Sequence, residues 1–262
     1  DLDLHLNSGE LTLETFSFNF KAFNDSEVLS SKNSIIHLEV SETLDLTVFN
    51  HDEFTHDFTI DGILESENEI EPGESRNFSL SIDDQGSYRY YSSTASGFLS
   101  GASGVVLVGY EADQCFYWNL FDLSQELSVN IGNGTVEEIP NDYQPDLFMI
   151  NGAFHPLTLE DEDTFVSLIL NEEAIISVVN SGTMDHALHF HGFHVEILTA
   201  RNQPERIGWI KDTIPLKSGE AMTFRLVANQ TGTYPVHDHN LIAVTNAGFY
   251  SGGMLTQIQV NP

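Results

Sequence analysis

The stretch Leu168-Ile-Leu-Asn-Glu-Glu-Ala-Ile-Ile-Ser-Val-Val-Asn180 is a second copy of an earlier one, Leu38-Glu-Val-Ser-Glu-Thr-Leu-Asp-Leu-Thr-Val-Phe-Asn50. The repeat continues downstream, where Gly86-Ser-Tyr corresponds to Gly232-Thr-Tyr and Ser100-Gly corresponds to Ser251-Gly. Both copies consist of short β-branched and aromatic runs separated by Gly, Asn, Asp and Pro turns, a pattern typical of strands. The repeat therefore predicts an all-β protein with two tandem domains, each a β-sandwich or barrel.

The positions of the two copies also predict the domain boundaries. Each copy has the length of a small sandwich domain, which places the first domain at residues 1–109 and the second at residues 147–262. Residues 110–146 are interpreted as a connector that carries its own strand around Cys115–Leu120. We expect no more than a short turn of helix in the connector, at Asp122–Leu127.

Composition excludes several classes of partner. The chain has 40 acidic and nine basic residues among 262, a formal net charge of −31. This charge would repel phosphate backbones and anionic lipid, so we expect neither nucleic acid nor a membrane as a partner. Cys115 is the only cysteine, so an internal disulfide is excluded. We interpret Cys115 as a buried structural thiol. The sequence contains no apolar run of the length that a transmembrane helix needs.

Histidines are concentrated in two short segments of the second domain. One segment carries His186, His189 and His191, and the other carries His237 and His239. Residues i and i+2 of a strand point to the same face, so each His-x-His unit directs two imidazoles one way. If the two strands are neighbours, His189, His191, His237 and His239 form a four-imidazole metal face. Copper is the first candidate on the affinity order, with zinc as the alternative.

The same segments resemble a known family. His186-x-x-His189-x-His191-Gly and Gly232-Thr-Tyr-Pro-Val-His237-x-His239, followed by Gly253-Met254, resemble the two metal motifs in the last cupredoxin domain of multicopper oxidases. The tandem arrangement is also similar to that of two-domain laccases and copper nitrite reductases. The resemblance implies two tandem cupredoxin-like Greek-key β-sandwich domains, bound copper, a homotrimer, and a periplasmic or secreted location with any signal peptide removed.

Matched residue by residue, the resemblance implies that both type 1 copper sites are lost. His186 and Met254 match a type 1 histidine and the axial methionine, but Asp238 stands where the family has its cysteine. In the first domain His56 matches a type 1 histidine, whereas Tyr91-Ser92-Ser93 stands at the family's His-Cys-His. A blue copper site depends on a copper–thiolate bond, so we expect no type 1 copper in either domain.

The resemblance also suggests partners for the four-imidazole face. In the first domain Thr59 and Asp61 stand where the family has a His-x-His pair, so a complete trinuclear cluster is not expected. Asp61 or Tyr91 of a neighbouring subunit could complete the surroundings of a metal held by the second domain. For His186, Asp238 and Met254 two alternatives stay open, a structural hydrogen bond between His186 and Asp238 and a second metal site.

Three functions from different classes follow from these observations. The first is a copper-binding cupredoxin protein that sequesters, delivers or senses copper and has a histidine-only site. The second is a copper-dependent oxidoreductase that acts on a small molecule such as oxygen, superoxide or nitrite. The third is a structural or interaction module that has kept the fold and lost the metal. The histidine motifs favour the first two functions without separating them.

Overall fold

The computed structural model describes residues 1–65, 68–110, 114–132, 136, 138 and 140–262. Strands dominate these residues, as the repeat predicts, and helices are short. The strands and helices are β1 Leu2–Leu13, β2 Phe16–Asn24, β3 Ile36–Leu38, β4 Thr43–Asn50, β5 Thr59–Ile60, β6 Ser75–Ser81, β7 Gly86–Tyr91, α1 Ala95–Leu99, β8 Ser103–Val108, β9 Cys115–Leu123, α2 Gln125–Gly132, β10 Leu147–Ile150, β11 Val166–Ile169, β12 Glu173–Asn180, β13 His186–Phe190, β14 Val195–Ala200, β15 Ile210–Lys211, β16 Thr213–Leu216, β17 Ala221–Val227, β18 Gly232–Asp238 and β19 Leu255–Asn261.

The strands form two sandwiches. In the first, the sheet β2-β1-β4-β6 faces the sheet β3-β8-β7-β5. In the second, the sheet β10-β9-β12-β17-β14-β15 faces the sheet β11-β19-β18-β13-β16. Each sandwich encloses its own apolar core, because alternate residues of most strands face inward. The all-β prediction is confirmed.

The sequence repeat corresponds to a repeat in topology. β1 runs parallel to β4, and β9 runs parallel to β12 in the same way. β3 is parallel to β8, as β11 is to β19. The strands β2 and β10 complete the match, since each is the antiparallel edge neighbour of β1 or β9. The first 24 residues and the segment from Cys115 to Ile150 are therefore equivalent parts of the two sandwiches.

The equivalence changes the interpretation of residues 110–146. β9 lies in this segment, and its pairing with β10 and β12 makes it a strand of the second sandwich. The helix that follows spans eight residues, Gln125–Gly132, and is longer than the single turn that the sequence suggests. The whole of β9 except Phe116 is buried, and Asp122 is its one buried carboxylate.

The sandwiches pack against each other through apolar and hydroxyl side chains. Val105 and Leu107 of β8 join a buried cluster with Tyr117 and Val179 of the second sandwich. Beside it, the Ser87 hydroxyl lies 2.7 Å from the hydroxyls of both Ser177 and Thr223. Among the described residues, no helix combines the length and apolar character needed to cross a bilayer.

Candidate metal centre

The two histidine-rich segments lie on neighbouring strands. β13 and β18 pair antiparallel, with His189 directly opposite His237. The pairing continues beyond the strand ends, because the backbone amides of His191 and His239 donate to carbonyls of the facing strand. Alternate residues share a face, so this register directs the side chains of all four histidines to the same side of the sheet.

The core fixes this register. The residues between the histidines, Leu188, Phe190 and Val236, are each no more than 1% exposed and pack in the core of the second sandwich. Burial of one such side chain stabilises the fold by about 1.5–3 kcal/mol. A slip of one residue would turn these side chains to solvent and bury imidazoles in their place, so the apolar residues determine where the histidines lie.

The imidazoles form a compact group. The ring centroid of His189 lies 4.6 Å from that of His191 and 5.7 Å from those of His237 and His239. The centroids of His191 and His237 are 5.0 Å apart. The structure thus brings together the four histidines that the sequence analysis grouped. We refer to His189, His191, His237 and His239 as the four-histidine face.

Hydrogen bonds set the orientation of three of these rings. His237 Nδ1 lies 2.8 Å from the carbonyl of Asp238, which can only accept, so Nδ1 carries the proton and Nε2 carries the lone pair. That Nε2 accepts from His191 Nε2 at 2.9 Å. His189 Nδ1 lies 2.9 Å from the Thr213 hydroxyl. A backbone or hydroxyl partner on Nδ1 is how proteins orient a histidine whose Nε2 binds metal.

Electrostatics favour the ligating form of His191. Desolvation lowers the pKa of its imidazole, and the neighbouring rings of His189 and His237 lower it further. Neutral imidazole is the form that binds metal. Grouping the rings therefore keeps His191 in its ligating form at neutral pH.

The four-histidine face is open. His191 and His239 are exposed, while His189 and His237 are half-buried. Among the described residues, ligand atoms of three His, Cys, Asp or Glu residues lie within 4.8 Å of one another at one place, which is not the four-histidine face. A metal on the four-histidine face would therefore need its rings to turn toward a common centre. The exposed rings have the freedom to do so.

Directly behind the face lies a buried group of charges. His186 Nδ1 donates to Asp238, and His186 Nε2 lies 3.6 Å from Asp122 Oδ2, the distance of an ion pair. All three side chains are fully buried. Asp122 is held in turn by Thr183 and by the backbone of Met184. Both ring nitrogens of His186 therefore face carboxylates, an arrangement that supports the structural hydrogen bond over a second metal site.

Met254 lies beside this group and packs in the core. Its side chain belongs to the apolar core, and its carbonyl accepts from the Asp238 amide at 3.1 Å. The sequence analysis missed Asp122 as the second carboxylate at His186. The signal for it was a single acidic residue in the buried run Cys115–Leu123.

The His186 cluster predicts a loss of stability at alkaline pH. Burial alone lowers the pKa of His186, but the carboxylates of Asp122 and Asp238 outweigh it and raise the pKa to about 9. A raised pKa in the folded state stabilises the fold fully below about pH 6.5, the value for the unfolded chain, and this contribution disappears as pH rises through 9. The loss should amount to about 3 kcal/mol.

Urea unfolding of the metal-free chain between pH 6 and 10 measures this loss. The His186→Ala variant lacks the group and should show no such decline across the window. If both proteins lose the same stability between pH 6.5 and 9, the pKa of His186 is not the cause.

The first sandwich has a matching buried cluster at His56. His56 Nε2 lies 2.6 Å from Asp52, and its Nδ1 lies 3.0 Å from the Ser92 hydroxyl. Asp52 also binds the ammonium of Lys21, and these side chains are at most 3% exposed. A side chain on Gly97 would collide with Ser92. The position that the resemblance assigns to copper is therefore filled by hydrogen-bonded protein groups.

Asp61 and Tyr91 are linked by Arg89, which contacts both side chains. The guanidinium of Arg89 bonds Asp61 at 2.9 Å and lies 3.9 Å from the centre of the Tyr91 ring. Desolvation raises the pKa of Tyr91, and the Asp61 carboxylate raises it further. Both residues are half-buried on the first sandwich, and their contacts there are with Arg89 rather than with the four-histidine face.

Comparisons with known proteins agree with this architecture. A family model described as multicopper oxidase matches residues 133–262. The chain is similar to the crystal structure of a blue copper oxidase from Nitrosomonas europaea, with a TM-score of 0.83, 19% identity, and coverage of 99% of this chain and 85% of that one. It is also similar to a copper nitrite reductase from the same organism, with a TM-score of 0.75, 15% identity, and coverage of 99% and 93%.

Residues 133–262 match the multicopper oxidase family, and the whole chain has the cupredoxin fold of multicopper oxidases. The expectation of two tandem cupredoxin-like sandwiches is thereby confirmed. A laccase from Botrytis aclada is similar over 98% of this chain but only 52% of its own length, with a TM-score of 0.76 and 14% identity. No curated protein sequence matches the chain.

The residues of this cupredoxin-fold chain fit one kind of copper site and not another. A type 1 site does not fit, because the positions that the resemblance gives to the cysteines hold Asp238 and Ser92, whose side chains hydrogen-bond to His186 and His56. The four-histidine face does fit the donor chemistry of copper, since neutral imidazoles are preferred ligands of copper and zinc. When bound there, copper would supply a redox-active Lewis acid.

Proposed function

We propose that this protein binds copper on its four-histidine face and acts in copper sequestration, delivery or sensing. The single observation that carries the proposal is the pairing of β13 with β18, which puts His189 opposite His237 and all four imidazoles on one face. Copper is the metal because it heads the affinity order for imidazole sites, with zinc as the competitor.

The state of the type 1 positions argues against a complete oxidase. In a blue copper site the thiolate bond governs geometry and potential, and here buried hydrogen bonds of His186 and His56 take its place. A metal on the half-exposed face is also accessible from solvent, which suits a protein that takes up and releases copper.

The same openness supports a second candidate, a copper-dependent oxidoreductase that acts on a small molecule. His191 and His239 are exposed, so a metal held there would keep coordination positions for a substrate such as oxygen, superoxide or nitrite. Turnover with an external reductant, lost in His237→Ala, would distinguish this activity from copper storage.

A homotrimer in the periplasm or outside the cell completes the proposal. Four large apolar side chains near the end of the histidine-bearing strand are 53–77% exposed, namely Leu241, Ile242, Phe249 and Tyr250. Apolar groups exposed in this way mark interaction surfaces. A neighbouring subunit seated there would bring its Asp61 and Tyr91 toward the metal, as the family analogy suggests. Sedimentation equilibrium tests the trimer.

Copper titration of paired variants tests the metal site. We expect His191→Ala/His237→Ala to bind one copper fewer per chain than the wild type. Replacing a residue that only hydrogen-bonds to a metal ligand already lowers metal affinity by about 10–100-fold, and this variant removes two ligands. The wild type should bind this copper without an intense thiolate band. Elemental analysis and absorption spectra measure both quantities.

The matched control is His194→Ala, which removes an exposed histidine three residues beyond His191. It should keep the full copper content. Equal copper content in the double variant and in His194→Ala would contradict the proposed site, and a strong blue band would contradict the loss of type 1 copper.

A further inference from the structure

A second group of metal-ligating side chains lies on the first sandwich, apart from both histidine clusters described above. His5 lies in β1, His51 follows the end of β4, and Glu27 follows the end of β2. One ligand atom from each of the three lies within 4.8 Å of the other two, the only such group among the described residues. The two imidazoles and a carboxylate match the three-ligand set of open divalent metal sites.

We propose that His5, His51 and Glu27 form a binding site for a divalent transition-metal ion with high affinity for imidazole, Cu²⁺ or Ni²⁺. This site is independent of the four-histidine face and of any function assigned to it.

The backbone places the two histidines beside each other. β1 and β4 are parallel, with His5 opposite Phe49. The His51 amide continues the pairing by donating to the Leu6 carbonyl at 3.0 Å. His5 therefore lies within a strand, and His51, the first residue after the adjacent strand, is held against it by this backbone hydrogen bond. Ligands carried on sheet strands are held more precisely than ligands on loops.

Stacking fixes the rings. The His5 ring stacks on Phe49 at a centroid distance of 4.8 Å and an interplanar angle of 10°. On the same ring, His51 stacks at 5.1 Å and 19°. These contacts hold the two imidazoles nearly parallel. Because the rings are already held in place, metal binding costs less side-chain conformational entropy.

The segment that carries Glu27 is tied to the same sheet. The buried Asn7 side chain donates to Ser26 O at 2.8 Å and to Asn24 Oδ1 at 3.1 Å. Asn24 closes the segment by bonding the backbone of Ser30 and Lys32. Glu27 itself is exposed, so its carboxylate can approach a cation without desolvation of a buried charge.

The two imidazole nitrogens are already close to the spacing that a shared metal requires. His5 Nδ1 and His51 Nε2 are 2.8 Å apart and joined by a hydrogen bond. Two nitrogens bound at about 2.0 Å to one ion lie about 2.9 Å apart at a tetragonal ion and about 3.3 Å apart at a tetrahedral one, so a metal can replace the hydrogen bond after a small turn of the rings. Cu²⁺ and Ni²⁺ stand high in the affinity order for imidazole ligands. The donor of the present hydrogen bond becomes a ligand by a tautomer shift, which costs no net proton. The formal net charge of −31 adds a general attraction for cations.

Calorimetric titration of the whole chain with Ni²⁺ at about pH 8, where imidazole is neutral, tests the site. We expect His51→Ala to lose one binding event per chain, with an affinity loss of about 100-fold or more. Even residues that only hydrogen-bond to a metal ligand change the metal affinity by about 10–100-fold when they are replaced. Glu27→Gln should weaken the same event. His194→Ala should leave it unchanged, and His191→Ala/His237→Ala should retain it whether or not the four-histidine face binds metal.

Thermal melting in chelator and in Ni²⁺ provides a second readout. Ni²⁺ should raise the melting temperature of the wild type by binding the folded state. This rise should be smaller in His51→Ala. In chelator, His51→Ala and the wild type should melt at the same temperature. Undiminished Ni²⁺ binding in both His51→Ala and Glu27→Gln would overturn the proposal, as would the loss of every binding event in His191→Ala/His237→Ala.

Discussion

Replacing His186 by alanine should lower the free energy of unfolding by about 3–5 kcal/mol at pH 7, because removal of one partner from a buried ion pair leaves uncompensated charge. Asp122 and Asp238 flank the imidazole and are fully buried with it. Without His186 the two carboxylates would face each other in a cavity lined by the core. Urea unfolding followed by circular dichroism gives the change, and the melting temperature should fall by about 10 °C.

The control for this prediction is His194→Ala. His194 is exposed and lies eight residues further along the chain, so its replacement should change stability by less than about 0.5 kcal/mol. A His186→Ala protein as stable as His194→Ala would show that the Asp122–His186–Asp238 cluster does not stabilise the second sandwich.

Replacing Asp52 by alanine should destabilise the first sandwich to a similar extent, by about 3–5 kcal/mol. The carboxylate binds Lys21, His56 at 2.6 Å and Ser8 at 2.7 Å. Lys21 is 1% exposed and would keep a buried ammonium without its counter-charge. The buried amine would then have to lose its proton or draw water into the core.

Acid pH should have the same effect as the substitution. Burial alone raises the pKa of Asp52, but hydrogen bonds from His56 and Lys21 outweigh it and hold the pKa well below its usual range. A depressed pKa stabilises the fold above about pH 3.9, the value for the unfolded chain, and the contribution is lost as pH falls toward the folded value. Unfolding curves between pH 7 and 2 for the wild type and Asp52→Ala should therefore converge at the acid end.

Two further variants isolate the charge pair. Glu53→Ala removes the neighbouring acidic residue, which is exposed, and should be nearly neutral. The double variant Lys21→Met/Asp52→Ala removes both charges and should be more stable than Asp52→Ala alone, because a buried pair costs most when it is broken. If the double variant is less stable than Asp52→Ala, the unpaired ammonium is not the source of the loss.

Much of the fold could be predicted from the chain itself. The repeated alternation at Leu38–Asn50 and Leu168–Asn180 predicts paired strands, and β4 and β12 occupy these stretches. The role of β9 could not be predicted in this way, because an almost uniformly apolar strand has no alternation that shows which strands flank it. Its parallel pairing with β12 joins stretches some 60 residues apart, and such pairings depend on the packing of the whole sheet.

The four-histidine face was predictable for a local reason. In a His-x-His unit the period of the strand sends both imidazoles one way and the apolar residue between them into the core. Thr213, which bonds His189 from β16, left no local signal. Asp122 left a weak one, but its contact with His186 spans two strands of different sheets.

The sequence by itself therefore determined the all-β architecture, the grouping of four histidines and the absence of the thiolates that type 1 copper needs, since each depends on residue type and strand period. Only the tertiary structure decided what fills the positions that the resemblance assigns to type 1 copper, because the Asp122–His186–Asp238 and Lys21–Asp52–His56 clusters join residues from different strands. It also decided the position of His5 beside His51, which depends on β1 lying parallel to β4. Side chains distant in sequence meet only after the sheets are paired and the cores are packed.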